Sequence, residues 1–227
     1  MIDVEKGTQA LARPDALPIE IRMLGLRAYR EVLEAMRSYT ANRNDAAPDQ
    51  IWLLEHPAVF TLGQAGKLEH LLDRGTTIPV EHVERGGQIT FHGPGQIVAY
   101  TLIDLKRRGI KVREFVMRLE AALIDTLAAY NVKGQRRAGA PGIYVNIAGD
   151  IVKIAALGLK VKNGCTFHGV ALNVAMDLSP FLLINPCGYA GLQTIDMATL
   201  GIHPSVAEVA GVLADALVAR IESRDLP

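Results

Sequence analysis

Two rhythms of apolar and polar positions alternate along this chain. From Ile21 the apolar residues Leu24, Ala28, Val32, Leu33 and Met36 recur at helical spacing until a polar stretch at 41–49, which predicts a helix. Short apolar runs at 50–55, 78–83 and 97–105 predict strands, with a short helix at 67–72 between the first two. Val112, Phe115, Val116, Leu119, Leu123, Leu127 and Tyr130 repeat at three and four, so a long helix follows. Strands are expected again at 142–147 and 150–161, joined by a tight turn at Ala148-Gly149, and at 166–174. Val206, Val209, Ala210, Leu213, Leu217 and Ile221 mark a last amphipathic helix. The pattern is α/β, a mixed sheet with helices packed on it. Residues 1–18 mix charge, glycine and proline without a period and are expected to form a loose leader; 19–227, lacking repeats or a polar linker, are expected to form one domain.

Composition narrows the class. Hydrophobic residues make up 49% of the 227, enough for a sizeable core, and the 24 basic side chains equal the 24 acidic ones, so net charge argues for neither nucleic acid nor an anionic membrane. No apolar run approaches the roughly 20 residues that span a bilayer, and no signal peptide is recognisable, which points to the cytoplasm. The two cysteines, Cys165 and Cys187, have neither metal-ligand spacing nor the density of a disulfide scaffold, so no metal is expected.

Candidate chemistry begins at 85–100. Arg85, Gly86, Gly87, Gln88, Ile89, Thr90, Phe91 and His92 lead into Gly93-Pro94-Gly95-Gln96, where glycines allow close backbone approach and Arg85 and His92 bring donors; a plain hairpin is the alternative. His56, held extended by Pro57, either projects into a site or is a hydrogen-bonded structural histidine. Cys187 lies in a turn, Asn185-Pro186-Cys187-Gly188, where a thiol is accessible and backbone N–H groups are available to an oxyanion; Cys165 is the less attractive nucleophile. A thiol with an ordinary pKa near ~8.5 needs a positive neighbour to react as thiolate. Lys153 stands in an otherwise apolar segment, either snorkelling from an edge strand or aimed into a cleft.

Four ordered stretches, Arg-Gly-Gly-Gln-Ile-Thr-Phe-His-Gly-Pro-Gly-Gln at 85–96, Lys-Ile-Ala-Ala-Leu-Gly at 153–158, Gly-Cys-Thr-Phe-His-Gly-Val-Ala-Leu-Asn at 164–173 and Ile-Asn-Pro-Cys-Gly at 184–188, resemble the octanoyltransferases of lipoate biosynthesis. The resemblance covers roughly 21–201 and implies a domain similar to the catalytic domain of biotin and lipoate protein ligases. It places the family's acyl-thioester cysteine on Cys187 and the lysine that lowers its pKa on Lys153. Substrate contacts fall on 85–92, on Ala156, Leu157 and Gly158, and on Gly169, Val170 and Ala171. The turn between Tyr144 and Lys153, and the leader, are where the match to the family is loosest.

The implied donor is octanoyl on acyl carrier protein. The implied acceptors are lysines of lipoyl domains of 2-oxoacid dehydrogenases and of the glycine cleavage H protein. Neither transfer needs ATP or another cofactor, and no Gly-x-x-x-x-Gly-Lys-Ser/Thr loop is found. Rival readings are an ATP-dependent ligase on the same fold and a non-catalytic carrier-binding module. Arg107, Arg108, Lys111, Arg113, Arg136 and Arg137 offer a docking face for an acidic carrier, or an ordinary solvated surface.

Overall fold

The computed structural model describes residues 17–73, 75–185 and 191–223; the leader expected at 1–18 lies almost wholly outside them. Two sheets organise the chain. The larger holds β1 (Ile19–Leu26), β2 (Asp49–Glu55), β6 (Gln96–Leu102), β10 (Cys165–Asn173), β9 (Asp150–Lys162), β8 (Gly142–Ile147) and β7 (Gln135–Arg136) in that spatial order. The smaller holds β4 (Val80–His82), β3 (Val59–Leu62) and β5 (Ile89–His92). Of the strand pairings among the described residues, β1–β2 and β3–β4 are parallel and the rest antiparallel, so the α/β expectation of a mixed sheet holds.

The central strands are buried on both faces and therefore read as continuous apolar runs. Ile51 and Leu53 of β2 and Ile97 and Ala99 of β6 face α3 (Val112–Ala128) and α4 (Val206–Glu222), with Phe115, Leu119, Leu123, Leu213 and Leu217 filling the layer between. Their neighbours Trp52, Leu54, Val98 and Tyr100 face the other way, onto Tyr29, Val32, Leu33 and Met36 of α1 (Tyr29–Asn42). A third cluster, Phe60, Phe91 and Phe181 among others, backs the small sheet.

One helix boundary is corrected. The stretch from Ile21 is the edge strand β1, and α1 starts only at Tyr29. Ile21 and Leu24 fit a helical period by coincidence; pairing with β2 from Ile19↔Asp49 onward claims the backbone, and Met23 (56% exposed) and Leu26 (57%) face outward. The 67–72 helix shrinks to one 3₁₀ turn, Leu68–His70.

Half of the basic face is committed to acidic partners. Arg107 and Arg108, on the short α2 (Leu105–Arg108), converge with Arg43 on the fully buried Asp49 at 2.7, 2.5 and 2.6 Å. Burial would raise the Asp49 carboxyl, but the Asp104 N–H and the guanidiniums hold it below its usual range. Arg136 is tied to Glu120. Lys111, Arg113 and Arg137 stay exposed.

Candidate active site

Strand β9 carries the departure from regularity on which the site depends. Tyr144 pairs with Lys153 and Ile143 with Ala155, so Ile154 is an extra residue, a bulge. Val152, Ile154 and Ala155 all join the helical core, and Lys153, Ala156 and Gly158 come to share the opposite face. Strict alternation would have put Lys153 with Ala155, inside the apolar layer. Lys153 is 4% exposed. Its chain passes over Gly142, where a β-carbon would sit 2.8 Å from Lys153 Cε, and its Nζ donates to Pro141 O at 3.1 Å and lies 5.4 Å from the Tyr144 ring centre. The snorkelling alternative therefore fails: β9 is an interior strand and this cation points inward.

From Lys153 a trough runs along the sheet. Gly158 pairs with Gly169 and Ala156 with Ala171, while Val98 and Tyr100 of β6 stand opposite Ala171 and Gly169. Two neighbouring strands thus present nothing larger than a methyl group, and a groove results. The small sheet and its approach cover it with Arg85, Gly87, Gln88, Ile89, Thr90 and His92; Leu157 and Val170 complete the wall. Gly86 is not on that wall but donates its N–H to Leu159 O at 2.8 Å, tying the cover to β9. Phe91 points away, between Phe60 and Phe181. The 85–100 stretch is therefore more than a hairpin: β5 belongs to one sheet and β6 to the other, and the turn between them joins the two walls.

Beyond Gly158 the trough ends in polar groups. Arg85, 8% exposed, donates to the Thr61 carbonyl and hydroxyl at 2.6 and 2.8 Å and to Gly86 O at 2.9 Å. His56 is fully buried behind this end. Its Nδ1 meets the Arg27 carbonyl at 2.7 Å, which only accepts, so Nδ1 carries the hydrogen and Nε2 accepts from the Tyr100 hydroxyl at 2.8 Å. His56 is thus the structural histidine of the two alternatives. His92 Nδ1 donates to Gln96 Oε1 at 2.7 Å, whose amide nitrogen is taken by Asn173. Burial drives His56 down to about 4 and His92 to about 3, the latter helped by His56; burial lifts Tyr29 to about 12. The imidazoles are neutral and the phenols protonated at neutral pH.

His168 is the outlier. It has φ 61 inside β10, a region β-carbon-bearing residues rarely enter, is 1% exposed, and neither ring nitrogen has a hydrogen-bond partner among the described residues. Burial and Arg85 push it to about 3. Tyr29, Val98 and Tyr100 join the wall without a signal of their own in the sequence, and His168 joins it from within the 164–173 stretch.

Cys187 lies outside the described residues, but both flanks are in place. Asn185 N–H donates to His70 O at 2.9 Å, and after 186–190 the chain returns to Lys153 itself. Lys153 N–H donates to Gln193 O at 3.0 Å and Ile195 N–H to Lys153 O at 2.9 Å. Cys165 is buried, and burial raises its thiol pKa, which makes it a poor nucleophile. Among the described residues no His/Cys/Asp/Glu group is placed to hold a metal, and no helix is long and apolar enough to cross a membrane.

This two-sheet arrangement is the catalytic fold of the lipoyl and biotin protein ligases. The bi-partite lipoate protein ligase of Thermoplasma acidophilum superposes with a TM-score of 0.73 at 12% identity, over 90% of this chain and 84% of that one. Biotin protein ligase of Aquifex aeolicus does so at 0.52 and 11%, over 89% and 68%. Residues 28–218 match the family "Lipoyl protein ligase A/B catalytic domain". Proteins named octanoyltransferase are 57% identical over 92% of this chain and 89% of their own in Paraburkholderia phytofirmans, and 55% identical over 93% and 83% in Burkholderia thailandensis. The chain belongs to the octanoyltransferase family and is an acyltransferase.

Proposed function

We propose that this enzyme takes an octanoyl group from acyl carrier protein onto Cys187 and passes it to a lysine of a lipoyl domain, those of 2-oxoacid dehydrogenases and the glycine cleavage H protein being the acceptor class. The Cys187 thiolate attacks the thioester carbonyl, the carbon–sulfur bond to the carrier breaks, and the departing thiol takes a proton from Lys153. The acceptor amine then attacks the acyl-enzyme, gives a proton back to Lys153, and displaces Cys187 as thiolate. No step consumes ATP, because an amide replaces a thioester. Octanoyl lies along the Ala156–Gly158 and Gly169–Ala171 floor beneath 85–92.

The observation that carries this reading is Lys153: an inward-facing side chain on an interior strand, brought by a bulge to the trough whose floor is Ala156, Gly158, Gly169 and Ala171. Gln193, bonded to the Lys153 backbone, is six residues from Cys187, a span of at most ~20 Å, and Asn185 limits the other side. The test is intact-mass measurement after incubation with octanoyl carrier protein and no acceptor. A covalent octanoyl adduct is expected in wild type and Cys165→Ser and lost in Cys187→Ser; an adduct persisting in Cys187→Ser overturns the assignment. Addition of a lipoyl domain must discharge the adduct without ATP, and a strict ATP requirement would favour the ligase reading.

A further inference from the structure

We propose that His168 sets the upper limit of acyl-chain length by closing the far end of the trough with a buried ring that its neighbours hold in place; this rests on the acyl-pocket reading above. Geometry places the residue at that end. His168 pairs with Leu159, one step beyond Gly158 and away from Lys153. With Ile154 bulged out, five strand steps separate Lys153 from Leu159, about 16 Å at about 3.3 Å per residue. The seven carbon–carbon bonds of octanoyl, each advancing about 1.3 Å along an extended zigzag, reach roughly 9 Å, whereas the eleven of dodecanoyl reach roughly 14 Å and bring the terminal methyl within contact distance of a ring about 16 Å away. An eight-carbon chain starting beside Lys153 stops short of the ring; a twelve-carbon chain meets it.

The packing of the end then discriminates. Both ring nitrogens of His168 are already shut off from water, as is the rest of the ring at 1% exposure, so a chain long enough to meet it has to push against packed atoms. Phe167, stacked at 5.0 Å, and Tyr100, edge-on at 6.0 Å, hold the ring in place, and Arg85 closes the adjoining wall. His168 keeps its place in the lining at a positive φ, a backbone cost of the kind that clusters at functional sites.

The test is a competition in which wild type, His168→Gly and His168→Asn each meet equimolar octanoyl and dodecanoyl carrier protein, the two adducts being read in one mass spectrum. A ratio within one sample is independent of how much protein is folded, and both replacements tolerate the positive φ. Wild type is expected to disfavour dodecanoyl, and His168→Gly to raise the dodecanoyl-to-octanoyl ratio by about tenfold. His168→Asn, intermediate in bulk, should fall between them. A wild type indifferent to length, or a His168→Gly ratio equal to wild type, overturns the proposal, and a larger rise in His168→Asn than in His168→Gly overturns the bulk of the ring as the origin of the limit. Absence of any adduct in wild type overturns the acyl-enzyme reading and this inference with it, a result distinguishable from an adduct with unchanged ratios.

Discussion

The two faces of the large sheet are made from the same strands and obey opposite rules. Toward α3 and α4, alternate residues of β2, β6, β9 and β10 are Ile, Leu, Val and Ala in a continuous apolar layer. Toward α1 and the small sheet, β9 and β10 place Gly158, Gly169, Ala156 and Ala171 where bulk would fill the groove, and surround them with Lys153, Arg85, His92, His168, Tyr29 and Tyr100. The bulge at Ile154 and the positive φ of His168 both serve the second face. One face carries stability, and the other spends it on a buried cation, neutral histidines and an unfilled trough.

The sharpest way to separate the faces is to remove the cation. Lys153→Met should cost about 10²- to 10⁴-fold in octanoyl transfer if Lys153 moves the proton, while the melting temperature stays within a few degrees of wild type, because an apolar chain replaces a buried charge. Lys153→Arg keeps the charge but does not release it near neutral pH, and should be as impaired. Wild-type rates in Lys153→Arg would exclude the proton role.

Acid should attack the polar face first. His56, His92 and His168 have folded-state pKa values lowered to about 4, 3 and 3 against an ordinary 6.5. The unfolded chain therefore binds more protons than the folded one between about 6.5 and 4. The contribution of neutral burial is fully present above 6.5 and is lost as pH falls through that window, by about 1.4 kcal/mol per unit for each histidine. Urea unfolding at pH 7.5 and pH 5.5 should differ by about 3–4 kcal/mol in total. Asp49, whose pKa is lowered, has the opposite charge type but the same direction: its stabilisation is present above the ordinary carboxylate range and is lost only at more acid pH. Equal stability at the two pH values would mean that the histidines are not buried neutral.

The apolar face responds the other way round. Leu123→Ala removes a fully buried side chain from α3 and should cost about 2–5 kcal/mol of unfolding free energy, read as a lower urea midpoint, with transfer activity per folded molecule unchanged. A loss of activity larger than the loss of folded protein would show that the helical layer shapes the trough.

The same asymmetry decided what could be read from residues alone. The α3 and α4 faces follow one period, and both helices were legible, as were β8, β9 and the turn between them. Strand β1 was not, because an exposed edge strand with Ile21 and Leu24 three apart carries no signal that distinguishes it from a helix; pairing to β2 decides it. Of the wall, Arg85, Gly87 to Thr90, His92, Ala156 to Gly158 and Gly169 to Ala171 came through motif resemblance, whereas Tyr29 arrives from a distant helix and Tyr100 looked like an ordinary strand aromatic. The inward aim of Lys153 depends on the bulge at Ile154, which alternation does not foresee. The basic cluster stayed open between docking face and solvated surface for a related reason: the partner of Arg107 and Arg108 is not visible until Asp49 is folded beneath them.

Two glycines test the contrast at its smallest scale. Gly211 lies in α4 with nothing within 4 Å of a would-be β-carbon, so Gly211→Ala should stabilise the protein by roughly 0.5–1 kcal/mol, since alanine loses less backbone freedom in a helix. At Gly158 the same methyl group would stand 3.1 Å from Arg85 Cδ and 3.1 Å from Gly86 O. Neither neighbour yields freely, because Gly86 N–H is bonded to Leu159 O and Arg85 to Thr61. Gly158→Ala should therefore destabilise by about 1 kcal/mol and slow octanoyl adduct formation several-fold, as the cover lifts and the groove narrows. Paired thermal melts and adduct time courses check both; equal and favourable shifts at the two positions would mean that the trough has room to spare and that its glycines are not there to keep it open.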